Sequence, residues 1–335
     1  MKHNALHTTC ALLILLSSCS ETDFLEDIPS GESVAVRFSM TMEPIVGVTR
    51  TIITDTTLPT TAESGKQIGI YGIRTEAECI DTLKWQTNSE TIFQHPLNNC
   101  PYNIKANNQL ETDSATAYYP MGGNPALAVY AYWPHKQDTL IDGYGTIIPV
   151  DLKLQEDILY TGKVSSVSHA GSDNETINLP FKHALGAVAF KFTAEEPLYI
   201  ENRWLKRMEL ITSYSLDDAW MSVADGQFVF PFGQKADTLA LELGNQAIEL
   251  PQLQTNVLGP FLLIPEIELK AIRLFLNYQG VTHIYTIDIE GNSLFTLEAG
   301  VMKVLSFRCT EAPVYVQTRG NMTHELTFTL EEIQP

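Results

Sequence analysis

Few residues in this chain are of a type and spacing that could do covalent chemistry. The adjacent carboxylates Asp217-Asp218 and Glu195-Glu196 are candidates for a general acid and base. Glycoside hydrolysis needs its two carboxyl groups on one cleft, whereas neighbours on a strand point to opposite faces, so these pairs read as solvated turns. His183 stands in an apolar run with no cysteine, aspartate or second histidine at matching spacing, which predicts a core histidine whose ring nitrogens bond backbone groups. No GxSxG, HExxH, phosphate-cradling glycine loop or GxGxxG occurs, and no Cys/His spacing suggests zinc. The sequence therefore predicts a protein without enzymatic activity, cofactor or metal.

Cysteines and basic residues at defined places carry a different chemistry. Lys2 and His3, the short apolar run Ala11 to Leu16 and the small residues Ser17-Ser18 before Cys19 form a targeting segment. Leu16-Ser17-Ser18-Cys19 resembles a bacterial lipobox, which implies a signal peptide over 1–18 and a lipidated Cys19 as first mature residue. Several acyl chains on one residue anchor stably, where a single chain binds marginally. The acidic residues Glu21, Asp23, Glu26 and Asp27 follow within a tether over 19–32, and resemble the surface-export signal of Bacteroidetes lipoproteins. Cys79 and Cys100 can close a disulfide in an oxidising envelope, contributing on the order of 3 kcal/mol. Cys309 shares a phase with Leu305 and Phe307 and reads as a small buried hydrophobe.

The elements that must position these residues are strands. In 335 residues, 44% hydrophobic and 18% charged, there is more chain than one sandwich usually fills, so two domains are expected, 33–178 and 179–335. The net charge of −19, from 21 basic and 40 acidic residues, repels phosphate backbones and argues against nucleic acid as a partner. Val34, Val36, Phe38, Met40 and Met42 alternate without a break as a half-buried strand. Leu127 to Trp133 is apolar on both faces, hence a central strand. Leu179 to Phe192 reads as one buried strand, with a bulge at Gly186-Ala187 bringing Phe181, His183, Leu185, Val188, Phe190 and Phe192 onto one face. Asp225-Gly226 marks a hairpin turn, and Pro197 to Tyr214 admits a short helical turn. A last amphipathic strand carries Leu326, Phe328 and Leu330. Both ends of the mature chain are thus single extended segments that can complete their own sheet or a neighbour's.

Five segments in order behind the lipobox carry a family resemblance: Gly65 to Tyr71 (GKQIGIY), Val129 to Pro134 (VYAYWP), Gln155 to Tyr160 (QEDILY), Leu179 to Leu185 (LPFKHAL) and Leu297 to Val304 (LEAGVMKV). Together the series resembles the fimbrillin-like proteins of Bacteroidales, subunits and accessory proteins of type V pili. The resemblance implies an all-β chain of two tandem transthyretin-like Greek-key β-sandwich domains, exported as an outer-membrane, cell-surface lipoprotein and assembled with other pilus subunits by strand exchange. In that family an arginine-specific protease cuts after an arginine following the first strand. Arg50 occupies the matching place, which would make Val34 to Met42 the displaced strand and Leu326 to Leu330 a candidate donor. A stand-alone glycan-binding surface lipoprotein is the alternative, with Trp85, Trp133, Trp204, Trp220 and 13 tyrosines as raw material for sugar stacking. A host protein or glycan is the partner that adhesion implies.

Overall fold

The computed structural model describes residues 35–44, 46–47, 59–75, 97–113, 117–119, 126–142, 145–167, 176–194, 203–244, 247–249, 258–266, 269–289, 291, 296–316 and 321–332. In chain order the strands are β1 (Arg37–Met42), β2 (Val46–Gly47), β3 (Ile68–Thr75), β4 (Leu97–Ile104), β5 (Gln109–Glu111), β6 (Ala126–Trp133), β7 (Leu140–Asp142), β8 (Gly145–Val150), β9 (Leu159–Tyr160), β10 (Val164–Val167) and β11 (Thr176–His183). They continue as β12 (Gly186–Ala194), β13 (Arg203–Thr212), β14 (Ala219–Ser222), β15 (Phe228–Val229), β16 (Asp237–Glu242), β17 (Ile248–Glu249), β18 (Leu258–Leu263), β19 (Leu269–Tyr278), β20 (Val281–Asp288), β21 (Val301–Val316) and β22 (Asn321–Glu332). The chain is all-β, as the alternating patterns predict.

The first sheet runs β10-β6-β3-β4-β5-β1-β11-β9, and β9 also pairs with β6, so the sheet closes on itself. Closure removes sheet edges and encloses a core containing Phe38, Met40, Ile70, Leu127, Val129, Trp133 and Phe181. A second sheet, β18-β12-β21 with β2 and β22 also on β21, faces a third, β16-β13-β19-β20 with β17 beside β13. Between them lies a larger core that includes Phe190, Phe192, Leu210, Leu274 and Phe307. Phe192 and Phe307 meet there at 5.0 Å between ring centroids. A fourth sheet, β15-β14-β8-β7, joins β8 to β14 through four register pairs.

Two sequence expectations hold in detail. Strand β6 is central: Leu127, Val129 and Ala131 fill the closed sheet, while Ala128, Tyr130 and Tyr132 reach into the larger core. The Asp225-Gly226 hairpin forms between β14 and β15, with Gly226 at φ +76, where a side chain would also collide with the Tyr160 ring.

Three others are corrected. The run Leu179 to Phe192 is not one bulged strand with a single buried face. It is β11 and β12, in different sheets, joined at Ala184-Leu185, so Phe181 packs in the closed sheet while Val188, Phe190 and Phe192 pack in the larger core. Strand β11 accordingly crosses residue 178, and the chain changes cores a few residues later. Arg203–Thr212 is a ten-residue strand rather than a helical turn, because Leu205, Met208 and Leu210 pair between β16, β17 and β19. Finally, His183 bonds a side chain instead of backbone: its Nδ1 lies 2.6 Å from Asp157 Oδ2.

Candidate assembly site

Strand β1 holds its place by alternation. Val36, Phe38 and Met40 are buried in the closed sheet, while Arg37 and Thr41 are exposed. Each buried side chain contributes about 1.5–3 kcal/mol by its removal from water. On one side β1 runs parallel to β11, with Phe38 beside Ile177 and Met40 beside Leu179. On the other it meets β5 antiparallel, with Phe38 opposite Leu110. The Val36 amide donates to Ala117 O at 2.9 Å and the Glu43 amide to Phe181 O at 2.8 Å, tying both ends of the strand. Tyr102 of β4 packs edge-on against Phe38 at 5.3 Å. Burial, reinforced by the neighbouring Cys100, pushes the Tyr102 phenol up to about 12.

A few residues on, β2 runs parallel to β21, with Val46 beside Val301 and Gly47 beside Met302. The N-terminal segment therefore joins two different sheets in succession, each time with one parallel partner. Parallel pairing demands long crossovers, and nothing local in Val46-Gly47 announces it.

At the other end of the chain, β22 pairs antiparallel with β21 over twelve register positions, Leu305↔Glu332 to Val316↔Asn321. Among the described residues no strand pairs with its outer edge. Leu326 stands opposite Glu311, Phe328 opposite Cys309 and Leu330 opposite Phe307. Phe328 meets Tyr285 edge-on at 5.2 Å, bridging the second and third sheets. Cys309 is buried, as its phase predicts.

Of the remaining sequence-predicted residues, Cys19, Val34, Arg50 and Cys79 lie outside the described residues. Cys100 is half-buried, its thiol 3.9 Å from Asn98 O. Asp217 is exposed and paired with Lys153 at 2.6 Å, and Lys153 also reaches Asp237 at 3.1 Å; Asp218 is exposed, and Glu195-Glu196 lies outside the described residues. Among the described residues no three His, Cys, Asp or Glu side chains group as metal ligands.

A strand enclosed on both sides in a closed sheet, followed by a second insertion into a neighbouring sheet, and a long terminal hairpin with an open edge define an all-β protein built around its chain ends. The fimbrillin-like family model matches residues 49–325, and the chain belongs to that family. Its role is accordingly fimbrial or adhesin-like, at the cell surface. Among solved structures it is similar to a proposed cell adhesion protein from Bacteroides uniformis, with 15% identity and a TM-score of 0.50 over 89% of this chain and 98% of that one. It is also similar to the fimbrial anchor protein Mfa2 from Porphyromonas gingivalis, with 9% identity and a TM-score of 0.35 over 89% and 98%. No curated relative matches the chain.

Proposed function

We propose that this protein is a non-enzymatic, lipid-anchored component of a type V pilus, made of two tandem transthyretin-like Greek-key sandwiches and joined to its neighbours by strand exchange. One observation carries the reading: β1 has a partner on each side, β11 in parallel and β5 antiparallel, so its removal would open a groove between β5 and β11 lined by Leu110, Ile177 and Leu179. Both β1 and β2 precede Arg50. A single cut there would release the two together, vacating places in two sheets. A segment with the alternation of Leu326, Phe328 and Leu330 from another subunit matches the vacated phase of Val36, Phe38 and Met40. Cys19, after removal of 1–18, is the proposed outer-membrane anchor, 19–32 its tether, and Cys79 the proposed disulfide partner of Cys100. Partners would be other pilus subunits and, for adhesion, a host protein or glycan.

The test is the mass and oligomeric ladder of the mature protein with and without an arginine-specific protease. Cleavage after Arg50 and an SDS-resistant ladder, both lost in Arg50→Ala, are the expected outcome. An unchanged mass and ladder in Arg50→Ala would refute processing at this site.

A second reading, surface glycan binding, draws on one exposed pair. Phe232 is 72% exposed and meets the half-buried Trp220 edge-on at 6.5 Å, a corner against which a pyranose ring could rest. Quenching of Trp220 fluorescence by a glycan, lost in Phe232→Ala, would favour it.

A further inference from the structure

We propose that β20 is a homotypic docking edge, to which a second copy of this chain adds its own β20 antiparallel across a two-fold axis. Strand β20 ends the third sheet and, among the described residues, pairs with β19 alone. Tyr285 and Ile287 pack against the larger core, but two of its apolar residues are left in water: Val281 is 57% exposed and Ile284 58% exposed. Nor is it guarded, since Val281 to Ile287 contains no Lys, Arg, Asp, Glu or Pro. Such an edge is a template for another strand.

The hairpin geometry identifies the backbone groups that face outward. Gln279 and Gly280, at φ +50 and +79, make the two-residue turn that closes on the pair Tyr278↔Val281. A two-residue hairpin closes on a hydrogen-bonded pair, and such pairs then alternate. Val281, His283, Tyr285 and Ile287 therefore turn their N–H and C=O groups toward β19. Those of Thr282, Ile284 and Thr286 turn toward the open edge.

Symmetry selects the occupant. Along that edge the outward-bonding residues read Thr, Ile, Thr from either end. A second copy centred on Ile284 sets Ile284 against its own counterpart and Thr282 against Thr286, forming about six inter-chain hydrogen bonds. The pairing also extends a row already present on the sheet's outer face, where Glu242, Arg207, Phe275 and Ile284 stand side by side on β16, β13, β19 and β20. Arg207 ion-pairs with Glu242 at 2.7 Å and lies over the Phe275 ring at 5.3 Å. Joining two rows brings the two exposed isoleucines together between Phe275 rings, with the charges outboard. On the opposite face His283 meets Tyr285. Asp288 falls opposite Gly280, so no like charges oppose each other, a requirement that matters for a chain of net charge −19. This contact is lateral and leaves β1 and β22 untouched, so it stands independently of strand exchange.

Sedimentation velocity and amide hydrogen exchange on the purified protein test it. The expected result is a concentration-dependent dimer in which the Thr282, Ile284 and Thr286 amides are protected. Ile284→Lys should give a monomer with fast exchange at those amides and, at a dilution where the wild type is also monomeric, the same thermal midpoint, because Ile284 is surface-exposed. Phe232→Lys, an exposed apolar site elsewhere, should remain dimeric. A wild-type monomer at the highest soluble concentration, with those three amides exchanging fast, would overturn the proposal. So would a dimer that Ile284→Lys leaves intact.

Discussion

His183 Nδ1 and Asp157 Oδ2 lie 2.6 Å apart where the chain leaves one core for the other. Asp157 stands two residues before the start of β9, and His183 ends β11. The Ala184 amide donates to Ile158 O at 2.8 Å beside them, and the Gly300 amide to Leu185 O at 2.9 Å. The other ring nitrogen of His183 is buried without a hydrogen-bond partner among the described residues. With one nitrogen committed to a carboxylate and the other in an apolar setting, the ring acts as a fixed strut. It holds the short strand that closes the first sheet against the strand that departs for the second core.

Removing either partner should therefore cost more than removing both. Asp157→Leu leaves the buried imidazole without its carboxylate, and His183→Leu leaves a part-buried carboxylate that keeps only the Ile158 amide, each expected to destabilise by roughly 1–3 kcal/mol. The double substitution should cost clearly less than the sum. Urea denaturation of the three variants measures the coupling; additive losses would mean that the two side chains act separately.

Strand β1 should show the phase of its alternation in stability. Phe38→Ala removes a ring buried against Tyr102 and should cost about 3–5 kcal/mol. Ser39→Ala, on the opposite face, should stay within about 0.5 kcal/mol. Urea midpoints compare the two; equal effects would contradict the insertion of β1 into the closed sheet.

The strands themselves were legible because period-two alternation is local: β1, β6 and β22 all stand where their patterns predict. Their partners were not. The parallel pairing of β1 with β11 depends on residues distant in the chain, and alternation does not reveal whether a neighbour runs parallel or antiparallel. The same limit explains Leu179 to Phe192, where alternation shows burial but not which core each residue enters. The Asp157–His183 pair was hidden by its separation of 26 residues, although both fall in segments that carry the family resemblance. Val46-Gly47 is too short for any periodicity to register.

Tyr102 offers a spectroscopic report on removal of β1. Its phenol is pushed up to about 12 by burial first and by Cys100 second. Loss of Phe38 would expose the ring and return its titration toward 10.0, the ordinary value. Phenolate absorbance, taken as the difference between the cleaved protein and its Tyr102→Phe variant, measures this. An unchanged titration after verified loss of β1 would mean that other groups keep Tyr102 buried.

Lys153 should support stability only within a bounded pH range. It lies between Asp217 and Asp237, and its pKa is raised by hydrogen bonds to Asp217 first and Asp237 second. Burial pushes the Asp237 carboxyl up, but the Thr238 amide, Lys153 and the Leu216 amide together outweigh it and hold it below the ordinary 3.8. A raised lysine stabilises fully below its unfolded value near 10.5, and the contribution fades as pH climbs through the folded value. A lowered carboxyl stabilises above 3.8, and the contribution fades as pH drops through its folded value. Lys153→Met should therefore lose stability mainly between those limits, by less than about 1 kcal/mol because Lys153 and Asp217 are exposed to screening water. Urea midpoints of wild type and variant across pH would converge at both extremes. A difference that persisted into strong acid would assign the effect to the lysine stem rather than to its charge.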